Sequence, residues 1–338
     1  MLIRTFLAAM VLAGITTTAT GAEATNKPWF GVHVGLRNDA QAKTLTEQLP
    51  KLAALGVNVL IVEVNYEFQF KSYPQLGNPA GLSKKAAGEL AAACRENKIR
   101  PIPQLNCVGH QSWSAVTASL LKQFPEFDET PGKYPRNQGI YCRSWCPLHP
   151  QVNQVVFALM DELIDAFQAD AFHVGMDEIF LIATDDCPRC KGKDPAEVLA
   201  KAIDDYHAHL VTQRKLEMLM WSDRLLDAKI TGYGKWEAAE NGTAPAIDRI
   251  PKDIIMCDWH YGKRNSYPSI RILIDKGFRV WPGGWDNVQA TEALIAGEKQ
   301  QTSPLMLGHM CTTWGKPKLA ELAQWPPIVA AAKEYAGK

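Results

Sequence analysis

The stretch His173-Val174-Gly175-Met176-Asp177-Glu178 places two consecutive carboxylates just after a short apolar run that ends in glycine. Two ionised groups this close repel, so the pKa of one is expected to rise. A protonated carboxyl beside one that stays charged suits general acid catalysis at a polarised bond. A loop acid pair at the start of a helix has the same pattern, so spacing alone leaves both readings open. Other chemically capable groups also follow apolar runs: His33 and Arg37; Glu63, Asn65 and Tyr66; Asn106, His110 and Trp113; Trp221 and Asp223; Asp258, Trp259 and Tyr261; Trp281, Trp285 and Asp286; His309 and Trp314. Indole faces stack on the C–H faces of a sugar ring, while its hydroxyls need polar partners. Any single Trp is as readily a packing residue.

Strand-like runs that could position these groups alternate with helix-like runs along the whole chain. Short apolar runs at 29–35, 57–64, 99–105, 170–175, 216–221, 253–258, 278–284 and 304–310 read as strands. The second is a continuous β-branched run, as expected of a strand buried on both faces. Helical spacing occupies 44–56 (closing at Gly56), 83–96, 152–167, 195–213, 268–276, 291–299 and 319–336. A helix is also expected after the fifth strand, over residues 229–246, although that segment is rich in Gly and Thr. Eight β-α units predict a parallel sheet with right-handed crossovers, closed as a single (β/α)8 TIM barrel. An open doubly wound sheet is the other arrangement, but its G-x-G-x-x-G loop is missing after the first strand. In the barrel, the strand ends named above converge on one rim.

Residues 1–22 read as a secretory signal peptide, with Arg4 ahead of an apolar run at 6–15 and small residues at a cleavage point. The run is too short to anchor in a bilayer. Export to the periplasm or the extracellular space is therefore expected, with residues 23–338 as one mature domain and no membrane anchor after cleavage. Lys and Arg total 36 against 36 Asp and Glu, which gives no sign of a nucleic-acid partner. Among eight Cys, Cys142 and Cys146 form a C-x3-C pair, and Cys187 and Cys190 a C-x2-C pair. Disulfides, structural zinc and free thiols are all open for these four. Cys94, Cys107, Cys257 and Cys311 lie in apolar surroundings and read as buried small hydrophobes.

Residues 173–178 resemble the His-x-Gly-x-Asp-Glu signature of glycoside hydrolase family 20, the β-N-acetylhexosaminidases. Residues 101–113 are similar to the family's third-strand segment, which ends in Asp-x-Pro-Gly-His. Residues 219–227 resemble its fifth-strand Trp segment, and 307–315 its final segment ending in Trp-Gly. The resemblance covers about residues 29–325, in the family's order. It implies a carbohydrate substrate, a β-linked N-acetylhexosaminide of a glycan or chitin-like oligosaccharide, and no cofactor or metal. Glu178 would be the general acid and base, and Asp177 would orient the substrate's 2-acetamido group, which serves as the internal nucleophile. His110 and His173 would orient the acids, Arg37 would hold hydroxyls, and Trp221, Trp285 and Trp314 would wall the acetamido pocket. Several positions depart from the family. Asn106 replaces an Asp, Val108 a Pro, and Trp285 a Tyr whose donor role Tyr261 could assume; Lys316 replaces an acid, and Arg37 is one residue off the usual spacing. With so few residues between the signal segment and the first strand, the family's N-terminal α+β domain is not expected here.

Three rivals remain in the sequence. A non-catalytic sugar-binding barrel would keep the pocket without turnover. A metal-dependent hydrolase would gather His33, His110, His173, His309, Glu63 and Asp177, although zinc-ligand spacing is absent. A two-carboxylate glycosidase would use Glu63 as nucleophile.

Overall fold

The computed structural model describes residues 27–335, so the expected signal peptide lies outside the described residues. Eight parallel strands close into a barrel: β1 Trp29–Gly35, β2 Val59–Glu63, β3 Arg100–Cys107, β4 Ala171–Gly175, β5 Glu217–Trp221, β6 Ile255–Trp259, β7 Arg279–Gly284 and β8 Gly308–Thr312. They pair in sequence order, and β1 meets β8 to close the ring. The expected (β/α)8 barrel is therefore present, and each strand lies within a few residues of its predicted position.

The two-residue period of a strand divides the apolar side chains into two cores. Val59, Ile61, Ile102, Leu219, Ile255, Trp281 and Met310 point into the lumen. Leu60, Val62, Phe172, Val174, Met218 and Val280 point outward to the helices. Trp281 fills the lower lumen and meets Trp29 edge-on at 5.1 Å between ring centroids. Gly31 makes that possible, because a Cβ there would lie 2.1 Å from the Trp281 ring. At the N-terminal mouth, Arg100 bridges Asp170 at 2.8 Å and Glu217 at 2.7 Å. Arg279 pairs with the same Glu217.

The main helices are α1 Asp39–Ala54, α2 Lys84–Glu96, α3 Val152–Phe167, α4 Pro195–His207, α5 Pro268–Asp275, α6 Val288–Lys299 and α7 Pro326–Tyr335. Side-chain caps set several starts: Asn38 accepts from the Gln41 N–H, Ser83 from Ala86, and Asn287 from Ala290. Three expectations need correction. The run at 195–213 is α-helical only to His207 and ends as a π-turn at Ala208–Gln213. The run at 319–336 is two pieces, because Pro326 and Pro327 force Trp325 into an extended conformation and restart the helix. After β5 there is no long helix, only the short pieces Ala228–Thr231, Gly234–Glu237 and the 3-10 turn Ala244–Asp248.

Two long segments at the C-terminal mouth shape the site. The β3–α3 segment contains a small hairpin, Ser112–Trp113 with Val116–Thr117, and a short helix at Ser119–Gln123. The β4–α4 segment carries Asp177, Glu178, Cys187 and Cys190.

Candidate active site

Asp177 and Glu178 leave the end of β4 through a turn with unusual backbone. Gly175, Met176 and Glu178 have φ of +66°, +68° and +50°. Gly175 is required on a second count, because a Cβ there would sit 2.4 Å from Asn106 Oδ1. On the neighbouring rim, Asn65, Val108, His110 and Trp314 also hold positive φ. Such conformations cost free energy and persist where packing over-determines them, often at functional sites.

His110 bridges the two acids. Its Nε2 lies 3.1 Å from Asp177 Oδ2 and 3.3 Å from Glu178 Oε2. Burial alone would lower the His110 pKa, but the two carboxylates outweigh it and hold the imidazolium well above the usual range. Burial likewise raises Asp177, yet the His110 cation wins and its carboxyl is held low. The repulsion expected between the adjacent acids is thus not what governs Asp177. The carboxyl pushed up is Asp223, to about 6, mainly by burial and against the pull of Arg224. Asp223 Oδ2 accepts the Glu178 backbone N–H at 2.9 Å and the Arg224 Nε–H at 2.6 Å. Asp177 Oδ1 is buried with no hydrogen-bond partner among the described residues.

The other predicted residues divide into three sets. Trp221, Tyr261, Trp285 and Trp314 come together. Trp314 Nε1 donates to the Tyr261 hydroxyl at 2.6 Å, Tyr261 and Trp285 rings are 5.4 Å apart, and Trp314 packs 5.9 Å from Trp221. The second set is a polar layer below them. Asn106 Oδ1 accepts from Gln104 Nε2 at 2.7 Å, and its amide faces Glu63 at 3.5 Å, so its side chain is engaged away from the two acids. His173 is fully buried against Trp221, and its Nδ1 accepts the Gly175 N–H at 3.0 Å. Burial holds it well below the usual imidazole pKa, hence neutral. It supports the turn rather than hydrogen-bonding the acids. The third set stands apart from the two acids. Arg37 is exposed, and its guanidinium makes no hydrogen bond or ion pair among the described residues. Trp281 fills the lumen. His309 points outward to Glu298 Oε1 at 2.7 Å, and Asp258 outward to His260 and Ser269. Strand-end position named these last residues; the inward or outward phase of each strand excludes them.

Two contributors were missed or passed over. Tyr141 lies near Glu178, and burial and the Glu178 charge both push its phenol pKa up. It also meets the His110 ring at 5.9 Å. A long loop without periodicity carries it, so no sequence signal marked it. Asp223 directly follows the β5 Trp segment and carried a positional signal only. Beside Tyr141, a cleft of about 270 Å³ is lined by Phe180, Leu181, Lys235 and Trp236 among others.

The rival metal set of His33, His110, His173, His309, Glu63 and Asp177 does not gather among the described residues: of these, His110 and Asp177, with Glu178, place donor atoms within 4.8 Å of one another. Glu63 is held by His33 Nε2 at 3.2 Å, Asn65 Nδ2 at 2.6 Å and Gln104 Nε2 at 3.3 Å. The four Cys of the two spaced pairs also do not assemble as a set. Cys142 turns away, its Sγ 3.6 Å from the Glu178 carbonyl oxygen, while Cys146, Cys187 and Cys190 gather around Glu129.

A closed barrel with adjacent acids at the end of its fourth strand, under an aromatic wall, fits a class of sugar-cleaving barrels. The sequence matches glycosyl hydrolase family 20, catalytic domain, over residues 31–333, and the chain belongs to that family. It is 22% identical over 282 residues to a protein named beta-hexosaminidase 1 from Coccidioides posadasii (strain RMSCC 757 / Silveira). That match covers 72% of this chain and 41% of the relative, so the chain aligns with less than half of the relative's length. Among solved structures, the fold is similar to the chitobiase of Flavobacterium johnsoniae, with TM-score 0.66 and 17% identity, covering 91% of this chain and 48% of the other. The beta-N-acetylhexosaminidase of Bacteroides fragilis NCTC 9343 gives 0.66 and 15%, covering 93% and 67%. The family 20 exo beta-N-acetylglucosaminidase of Vibrio harveyi, solved with N-acetylglucosamine, gives 0.65 and 15%, covering 91% and 54%.

Proposed function

We propose that the mature chain is an exported, exo-acting β-N-acetylhexosaminidase working by substrate-assisted retention. The observation that carries this reading is the His110 bridge between Asp177 and Glu178, with Asp177 Oδ1 left buried and unpartnered. An acetamido N–H is the donor that this oxygen lacks. Glu178 passes a proton to the glycosidic oxygen as its bond to the anomeric carbon breaks. The substrate's acetamido carbonyl oxygen bonds to that carbon from the opposite face and forms an oxazolinium. Asp177, kept anionic by His110, accepts the N–H and balances the positive charge. The leaving sugar departs; water then attacks the anomeric carbon, Glu178 takes its proton, and the ring opens with the original anomeric configuration.

The cleft beside Tyr141, Phe180 and Trp236 would receive the leaving group. Trp221, Tyr261, Trp285 and Trp314 would wall the acetamido pocket, with Tyr261 in the donor role. Glu63 is a poor candidate for an enzymic nucleophile because both of its oxygens are already engaged by neighbouring side chains. The apolar run and small-residue cleavage point within residues 1–22 support export.

The test is hydrolysis of chromogenic N-acetyl-β-glucosaminide, its galacto epimer and the plain β-glucoside by the purified mature chain. Turnover of the acetamido sugars alone is expected. Equal turnover of the plain glucoside would overturn the internal nucleophile. Binding without turnover would mean a sugar-binding barrel.

A further inference from the structure

Away from the two acids, one other group of ligand-type side chains is gathered among the described residues. Glu129, Cys146, Cys187 and Cys190 place donor atoms within 4.8 Å of one another. All four residues are fully buried. Cys146 Sγ and Cys190 Sγ are 3.3 Å apart. Thiolates around a tetrahedral zinc at about 2.3 Å lie roughly 3.7 Å from each other, so little movement is needed. We propose that Glu129, Cys146, Cys187 and Cys190 form a structural zinc site that ties the β3–α3 segment to the β4–α4 segment.

Three features separate this group from buried thiols acting as small hydrophobes. The first is Glu129. One of its oxygens accepts the Thr184 N–H at 2.8 Å; the other, Oε2, is buried without a hydrogen-bond partner. A carboxylate is expensive to bury in an apolar sulfur cluster, and a bound cation removes that cost. The second is the turn Cys187-Pro188-Arg189-Cys190-Lys191-Gly192. Lys191 N–H donates to the Cys187 carbonyl and Lys193 N–H to the Cys190 carbonyl, each at 3.0 Å, and Gly192 takes φ of +73°. This turn brings both sulfurs of the C-x2-C pair to the same side.

The third is the ligand set: a dication would draw the thiol protons off to solvent as its bonds form. Three sulfurs and one carboxylate oxygen complete a tetrahedron, leaving no open position, which fits a structural zinc.

The site would act on the catalytic wall through the chain. Cys142, four residues before Cys146, contacts the Glu178 carbonyl oxygen, and neighbouring Tyr141 packs edge-on against the His110 ring that bridges the two acids. The experiment is metal analysis of the full mature chain, with thiols counted by titration after denaturation. One zinc per chain and all eight thiols titratable are expected. Cys187→Ser and Glu129→Gln should lose the metal, whereas Cys142→Ser should keep it. Should the Ser variants fail to fold, cobalt(II) exchange into the unaltered chain provides the second readout: sulfur-to-cobalt charge-transfer bands with intense tetrahedral d–d absorption. Chelation should lower the melting temperature and zinc restore it. No bound metal with two fewer titratable thiols would show a Cys146–Cys190 disulfide and overturn the proposal. No metal, no cobalt spectrum and all thiols free would overturn it equally.

Discussion

His110 is the residue on which the two acids depend. Its ring satisfies one oxygen of each and sets which form Asp177 takes. Replacing it with Gln removes a charge-assisted hydrogen bond of about 1.5–3 kcal/mol. We expect kcat/KM to fall about 10- to 100-fold, mostly in kcat. A fall confined to KM would mean that His110 only binds sugar. Glu178→Gln should cost at least about 100-fold, as loss of a general acid does. The acid pair was legible because residues 173–178 resemble the family signature at the end of a strand, whereas spacing alone left it open. Tyr141 was not, because it is placed by a non-periodic loop. Arg37, expected to hold substrate hydroxyls, is exposed just past the end of β1, and its guanidinium has no partner among the described residues.

Strands were more legible than helices for a physical reason. A fully buried parallel strand needs an unbroken β-branched or apolar run, and residues 59–62 supply one. A helix depends on its boundaries, and the Pro326-Pro327 step and the π-turn after His207 lie inside otherwise favourable patterns. Which face a strand-end residue occupies follows only once the register is known. That is why His309 and Asp258 read as rim residues yet point to the helices. Two substitutions test this level. Trp281→Ala empties the lower lumen and should cost about 3–5 kcal/mol in a denaturant titration. Its effect on substrate affinity should be small, because the ring is far down the lumen against Trp29. Gly175→Ala forces a Cβ against Asn106 at positive φ, which adds about 1–3 kcal/mol of strain or moves the turn. It should lower kcat more than stability, since that turn carries both acids. Wild-type kcat in this variant would detach the turn from catalysis.

At the scale of the whole molecule, two buried histidines outside the site link stability to pH. Burial alone would lower each, but Glu298 raises His309 to about 10, and Asp258 with Glu237 raises His260 to about 9. An unfolded histidine titrates near 6.5. Both folded values are raised, so this stabilisation is fully present below about pH 6.5 and is lost as pH rises through about 9 to 10. Denaturation midpoints should decline over that window, and Glu298→Gln should flatten part of the decline. An unchanged slope in that variant would remove His309 from the account. The barrel itself could be read from eight alternations of strand and helix. The clustering of Glu129 with three cysteines could not, because Glu129 and the Cys pairs come from separate loops and only the closed barrel brings them together.

The central claim is that the substrate's own acetamido oxygen attacks the anomeric carbon beside Asp177 and Glu178. The most direct measurement is kcat/KM across one series of sugars whose acetamido methyl carries zero to three fluorines, with the leaving group unchanged. Each fluorine withdraws electrons from the carbonyl oxygen without much change in shape. The account predicts a steep, monotonic fall across the series. A flat series would contradict it and assign the nucleophile to the protein.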